Sequence, residues 1–380
     1  MKKILIIAGE ASSDTHAANL VRHIRSIDNS INFCGLGGDE MEKAGVELYH
    51  KITHLAFIGP GGLLKGYLKL RKIYQSLCGR IKAEPPDYAI LIDYAEFNLR
   101  VAKVLKKIGI PVIYYISPQI WAWGLWRIKT IRRLVSKMLV FFKFEEELYK
   151  AYGVNVKFVG HPLIGTVEAS LSRQAFKESL GIKEDVKIVG ILPGSRKSEI
   201  KNILPVMLES ASLLAKKLDG KIHFILPLAS TIDKSVVENM ASNAGLKVTI
   251  VHDNTYNAIN ICECAMVASG TATLETALLG VPMAIIYRTN FLTYILTKNL
   301  IKLPFIGLVN IVAGKGLAAE FLQHGARPEK IADYIERLLA DKELVVRLKE
   351  EFLNIKNTLG QPGASERAAG EIIDFIKSKT

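Results

Sequence analysis

The run Lys187-Ile188-Val189-Gly190-Ile191-Leu192-Pro193-Gly194-Ser195-Arg196-Lys197-Ser198-Glu199 decides the fold. Ile188 to Leu192 is apolar on both faces and reads as a buried parallel strand, which runs directly into a glycine turn, two cations and a helical pattern. A nucleotide-binding βαβ unit begins in this way, and here one begins in mid-chain. Upstream, Ile4 to Ala8, Tyr88 to Asp93, Val112 to Ile116 and Met138 to Phe142 have the same character. Downstream, Ile222 to Leu226, Val248 to Val251, Ala265 to Ala268 and Met283 to Tyr287 continue a second series. Helical patterns over 15–27, 99–107, 200–218 and 235–244 separate the strands, which is the rhythm of repeated βαβ units. The predicted fold class is α/β: two Rossmann-like doubly wound domains facing a central cleft, with ligands at the carboxyl ends of both sheets. Residues 1–165 are expected to form the first domain and 166–354 the second, with a hinge after Gly160-His161-Pro162-Leu163. The helical segment 355–380 is expected to return to the first.

Composition bounds the function. With 380 residues the chain is long enough for two or three domains, and 49% hydrophobic against 23% charged residues excludes a disordered or coiled-coil polymer. A net charge of +13 implies an acidic partner: nucleic acid, anionic lipid or a phosphorylated small molecule. A nucleic-acid-binding protein is the alternative from another class, but the chain lacks an RRM, KH or helix-turn-helix signature. Cys34, Cys78, Cys262 and Cys264 have no zinc spacing, and the last two are too close for an ordinary bridge, so a reducing compartment and no metal are expected. The apolar start ends at Ala8 before Gly9 and Glu10, which marks a strand rather than a signal peptide. Lys143, Lys298 and Lys302 interrupt the longest apolar runs, so no membrane span is expected.

Four loops carry candidate chemistry. GEASSD (9–14) links the first strand to a helix; its small residues admit a ligand to the backbone, and Glu10 has no capping job there. In ILIDYAEFN (90–98) a buried strand ends in Asp93, where low dielectric would raise a carboxyl toward a useful general base. LPGSRKSE (192–199) suits a diphosphate: amides and a hydroxyl near the oxygens, with Arg196 able to bind them bidentately. It lacks Walker spacing. In ASGTATLE (268–275), Ser269, Gly270 and Thr271 offer amides and hydroxyls at a helix start, and Glu275, one turn in, can accept ribose hydroxyls. Each turn alone also reads as an ordinary βα connection. Basic and aromatic residues interleave over Phe57 to Lys82, with Leu63, Leu64, Tyr67, Leu68 and Leu70 among Lys65, Lys69, Arg71 and Lys72, and again over Trp121, Trp123, Trp126 and Arg127. Both suit an anionic membrane surface as well as they suit a solvated helix with a core face. A lone His161 before proline reads as structural.

Taken in order, GEASSD, ILIDYAEFN, YYISPQIWAW, FVGHPL, ILPGSR, ASGTATLE and LVNIVAG resemble the lipid-A-disaccharide synthases, inverting glycosyltransferases of the two-Rossmann-domain (GT-B) type, over about 350 residues. The resemblance implies transfer of 2,3-diacylglucosamine from UDP-2,3-diacylglucosamine to the 6-hydroxyl of 2,3-diacylglucosamine 1-phosphate, giving a β-1,6 disaccharide and UDP. It implies no cofactor or essential metal, no nucleic acid, and a peripheral position on the inner face of the cytoplasmic membrane. It makes Asp93 the general base, with Glu10 beside it as a catalytic candidate, and matches Ser12 and Asp14 to the family's first-loop motif. Arg196, Ser269, Gly270 and Thr271 would hold the diphosphate, Glu275 the ribose, and Asn310 would lie near the donor. Three places depart from the family pattern: Ser13 replaces a glycine, Tyr94-Ala95-Glu96 reshapes the acceptor loop, and Val309 replaces a common proline. A polyprenyl-linked N-acetylglucosamine transferase or a UDP-sugar 2-epimerase on the same frame is the alternative within the enzymes.

Overall fold

The computed structural model describes residues 1–52, 60–219, 221–289 and 303–379, with the side chains of 60–65, Tyr67 and Trp123 left out. The chain divides into two compact units, Met1–Ile164 with Leu359–Thr380, and Gly165–Thr358.

Unit one runs β1 (Lys3–Ala8), α1 (Ala11–Ile27), β2 (Asn32–Gly37), α2 (Asp39–Lys43), β3 (Glu47–Lys51), α3 (Pro60–Ala83), β4 (Tyr88–Ile92), α4 (Ala95–Lys107) and β5 (Val112–Tyr115). It continues through α5 (Ile120–Trp123), α6 (Ile128–Leu134), β6 (Lys137–Val140), α7 (Lys143–Ala151) and β7 (Val156–Phe158). Its sheet is parallel in the order β3-β2-β1-β4-β5-β6-β7. Every residue of β4 and β5 is buried, as helices on both faces require. In α4, Phe97, Val101 and Leu105 recur at helical spacing on the buried face, while Lys106 and Lys107 lie at the carboxyl end of the helix dipole.

Unit two contains α8 (Arg173–Ser179), β8 (Lys187–Leu192), α9 (Lys197–Lys217), β9 (Ile222–Pro227), α10 (Lys234–Asn243), β10 (Val248–Val251), α11 (Thr255–Asn260) and β11 (Cys264–Ala268). Then come α12 (Ala272–Leu278), β12 (Met283–Tyr287), α13 (Leu308–Ala313), β13 (Ala319–Leu322), α14 (Pro328–Ala340) and α15 (Lys342–Thr358). Its parallel sheet has the order β10-β9-β8-β11-β12-β13. The closing helix α16 (Ala364–Lys377) packs on α1 in unit one, where the Tyr88 hydroxyl donates to Ile376 O and Lys137 pairs with Glu371 at 2.7 Å.

Both sheets reverse their strand order once, between β1 and β4 in the first and between β8 and β11 in the second. At such a reversal adjacent crossover connections leave the sheet on opposite faces, and a crevice opens at the carboxyl ends of the two strands. Ala8 is in register with Ile92, so Gly9-Glu10 and Asp93-Tyr94 emerge side by side. Leu192 is in register with Val267, so the Pro193–Arg196 turn emerges beside Ser269. All four cysteines are free. No helix among the described residues is long and apolar enough to cross a membrane.

Candidate active site

In unit one the β4–α4 turn is held in an unusual backbone. Asp93 (φ 47°) and Tyr94 (φ 42°) are successive non-glycine residues in the left-handed region, a conformation that costs roughly 1–2 kcal/mol per residue and least for Asp or Asn. Fully buried Asn98 locks it, its amide donating to Ile92 O at 3.0 Å and to Asp93 O at 2.9 Å, while the Tyr114 hydroxyl donates to Asp93 O as well. The turn brings the Tyr94 ring over Gly9, where any β-carbon would collide with it. Asp93 lies half-buried beside Glu10. Burial first, then the Glu10 charge, push its carboxyl from 3.8 up to about 6. A carboxylate poised there is largely ionised at neutral pH and still basic enough to take a proton.

The neighbours sort into chemical and structural groups. Glu10 occupies the N-cap position of α1 without a side-chain capping bond, and its side chain is exposed; Ser12 is exposed on the first turn of α1. Asp14, from the same motif, is turned inward and only 4% exposed. Its carboxylate accepts from the amides of Gly38 (2.7 Å), Glu40 (3.0 Å) and Met41 (3.2 Å), tying α1 to the start of α2. Glu96 pairs with Arg127. His161 is buried against Phe141 and Phe142; burial and neighbouring His16 hold its imidazole down to about 3, and burial lowers His16 too, so both rings are neutral at pH 7.

Sequence reading missed Glu145. This buried carboxylate accepts from Ser117 Oγ (2.6 Å), Trp121 Nε1 (3.0 Å) and the Phe142 amide (3.3 Å), and burial raises it to about 7. The available signal was an acid in the first turn of the helix that follows strand β6, a few residues further on than Asp93 stands after β4. The bond turns Trp121 inward, whereas Trp126 is 73% exposed with Arg127 over its ring. Trp123's side chain lies outside the described residues, as do Phe57–Gly59 and the side chains of Leu63, Leu64, Lys65 and Tyr67. On the described part of α3, Leu68 is exposed among exposed Lys69, Arg71 and Lys72.

In unit two, Gly194 (φ 105°) makes the β8–α9 turn, and a side chain there would strike Glu199. Glu199 corrects one expectation: the amides of Ser195 and Arg196, expected to face a diphosphate, donate to its Oε2 at 2.8 and 3.0 Å. The Arg196 guanidinium pairs with Glu199 Oε1 at 3.1 Å and stays exposed, free to swing onto an anion. In the β11–α12 turn the Ser269 amide donates to Ile286 O and its hydroxyl to Ile306 O (2.8 Å), so Ser269 braces the turn. Gly270 and Thr271 are exposed, and among the described residues their amides donate to no protein acceptor.

Glu275 is half-buried; burial raises its carboxyl, the Tyr256 hydroxyl donates to it at 3.3 Å, and it opens on a polar cavity of about 430 Å³ that Asn254, Thr255 and Asn257 also line. Tyr256, in the first turn of α11, was not singled out by sequence. Asn310 has 0% exposure and spends its whole amide on the protein: it donates to Ala318 O (2.8 Å) and Glu320 Oε1 (2.9 Å) and accepts from the amides of Leu317 (2.9 Å) and Ala318 (3.0 Å). Among the described residues no group of three His, Cys, Asp or Glu could hold a metal ion.

Two parallel α/β sheets, each with candidate residues at a reversal of strand order, make a fold of the two-Rossmann-domain class. Solved structures of that class match along nearly the whole chain. S. aureus MnaA in a co-structure with UDP covers 99% of this chain and 97% of its own at TM-score 0.64 and 14% identity. The calicheamicin glycosyltransferase CalG4 covers 100% and 99% at TM-score 0.60 and 13% identity. These likenesses concern the fold. Sequence is more specific: the pattern described as lipid-A-disaccharide synthetase matches residues 4–369. The lipid-A-disaccharide synthase of Geobacter metallireducens is 42% identical over 378 residues, 100% of this chain and 98% of the relative. That of Myxococcus xanthus is 36% identical over 374 residues, 98% and 97%. The chain belongs to the lipid-A-disaccharide synthetase family.

Proposed function

We infer that this chain is the glycosyltransferase that forms the lipid A disaccharide. In detail, it moves 2,3-diacylglucosamine from UDP-2,3-diacylglucosamine to the 6-hydroxyl of 2,3-diacylglucosamine 1-phosphate. The observation that carries the detailed reading is the raised carboxyl of Asp93, in a locked turn at a strand-order reversal, beside the charge of Glu10.

Unit one handles the acceptor and unit two the nucleotide. The Asp93 carboxylate takes the proton of the acceptor hydroxyl as its oxygen attacks the anomeric carbon. The bond from that carbon to the diphosphate breaks, and UDP leaves with the electron pair. One displacement inverts the configuration. Arg196, leaving Glu199, meets the negative charge that grows on the diphosphate, and the amides of Gly270 and Thr271, which meet no protein acceptor among the described residues, add dipoles aimed at the same charge. Glu275 accepts the ribose hydroxyls. The saturated hydrogen bonds of Asp14 and Asn310 support structural roles for both. Acylated substrates come from a bilayer, and the basic stretch of α3 around exposed Leu68, with exposed Trp126, supports docking of unit one on an anionic surface.

Purified protein given UDP-2,3-diacylglucosamine and 2,3-diacylglucosamine 1-phosphate should yield disaccharide and UDP in equal amounts by mass spectrometry. Release of UDP with water as the sole acceptor, or epimerised sugar nucleotide, would overturn the assignment.

A further inference from the structure

Between α3 and α4 lies a cavity of about 360 Å³ whose apolar lining is Leu70, Tyr74, Tyr94 and Phe97, with the charged side chains of Arg71, Arg100 and Glu96 also lining it. It is built from aromatic packing: Phe97 stacks on Tyr94 at 5.6 Å and meets Tyr74 edge-on at 6.0 Å. The hollow is open to solvent, so it is not a packing void of the interior, and its size falls in the range of roughly 300–1,000 Å³ typical of ligand pockets. Both arginines are exposed and neither forms an ion pair among the described residues. The one carboxylate among the residues that line the cavity, Glu96, is paired with Arg127. Apolar walls beside two arginines complement an anionic amphiphile. Tyr94 is at once a wall of the cavity and the residue after Asp93, so a chain seated there belongs to a molecule that reaches the candidate base.

We propose that this cavity seats one acyl chain of the acceptor, and that Arg71 and Arg100 hold the acceptor's phosphate; the proposal rests on the function inferred above. Chain and phosphate then fix the sugar at two points, which orients its remaining hydroxyl toward Asp93.

The test uses the full chain, with dodecyl phosphate as probe and calorimetry as readout. Native protein should bind one probe molecule below its micellar concentration. Leu70→Trp, which fills the cavity, and the surface pair Arg71→Ala with Arg100→Ala should each weaken binding about tenfold or more, with a native-like melting curve as the sign that unit one is intact. In turnover, KM for the acceptor should rise as its acyl chains are shortened, and Leu70→Trp should flatten that dependence. Native-like probe binding by both variants, or an unchanged chain-length dependence in a Leu70→Trp protein whose melting curve is native-like, overturns the proposal. Displacement of the probe by phosphatidylglycerol but not by the acylated sugar phosphate overturns it in favour of a membrane lipid. If native protein makes no disaccharide while the probe results hold, the enzymatic reading fails and the cavity stands as an anionic-amphiphile site.

Discussion

Replacing Asp93 with Asn separates catalysis from stability in one experiment. Asn keeps the size of the side chain and tolerates the left-handed backbone (φ 47°), so the turn locked by Asn98 should survive. What disappears is the charge. The folded-state carboxyl is raised from 3.8 to about 6, so stability linked to this group is full below about pH 4, where it is protonated in both folded and unfolded chains, and is lost as pH rises to 6. Above that, the ionised residue costs about 2–3 kcal/mol, at roughly 1.4 kcal/mol for each pH unit between the two values, less what residual solvent contact screens. Asp93→Asn should therefore raise the melting temperature at neutral pH by roughly 4–10 °C for a unit of this size, with the difference vanishing near pH 4. Its kcat should fall about 100-fold or more. Glu10→Gln, which removes the second cause of the shift, should move the acid limb of kcat/KM to lower pH and shrink the stability gained by Asp93→Asn. Thermal melts across pH, with single-turnover kinetics on the same samples, read both effects. A stability difference independent of pH, or a less stable Asp93→Asn at pH 7, would refute the burial argument; near-normal turnover would remove Asp93 from the chemistry.

Arg196→Ala should leave the melting temperature nearly unchanged, because its exposed pair with Glu199 is worth about 0–1 kcal/mol, yet weaken UDP binding about 10-fold or more; an unchanged Kd by calorimetry would place the diphosphate elsewhere. Asn310→Ala should destabilise unit two by about 3 kcal/mol or more in denaturant unfolding, since several buried partners lose their bonds together, whereas normal stability with lost UDP binding would make it a ligand contact. Sedimentation with anionic vesicles should fall as salt rises and fall further in Leu68→Ser with Trp126→Ser, UDP affinity being unchanged; equal sedimentation with neutral vesicles would dismiss the electrostatic contribution.

The buried strands were legible because burial on both faces leaves an unbroken apolar run: β1, β4, β5, β8 and β12 read directly from composition. Four strands were not. β2 (NFCGLG) and β7 (VKF) carry glycines or only three residues, β3 is a polar edge with no buried residue, and β13 is half-exposed. For β3, β7 and β13 edge position, set by tertiary pairing, removes the pattern that a sequence window detects, whereas β2 lies inside its sheet and is hidden by its glycines. The loops were legible for a related reason, since a strand-to-helix connection at the end of an apolar run must lie at a sheet's carboxyl edge. What sequence could not supply was the strand order that puts β1 beside β4 and β8 beside β11, the left-handed turn at Asp93 and Tyr94, or the inward rotation of Trp121 onto Glu145.

Neither could it tell which polar residues of a shared motif do chemistry. Asp14 and Asn310 stand in family motifs as prominently as Asp93 and Arg196, yet most of the Asp14 carboxylate's hydrogen-bonding capacity and all of the Asn310 amide's is spent inside the protein: three amides on the Asp14 carboxylate, two donors and two acceptors around the Asn310 amide. A group so saturated gains nothing from a ligand unless it first breaks bonds of comparable strength. Asp93 is different. The backbone around it is heavily bonded, but its carboxyl is lifted by burial and by Glu10, with only the Tyr94 amide opposing. The fold thus spends its hydrogen bonds on holding the turn and leaves the acid itself under-satisfied, which is the condition in which a carboxylate gains free energy by accepting a proton.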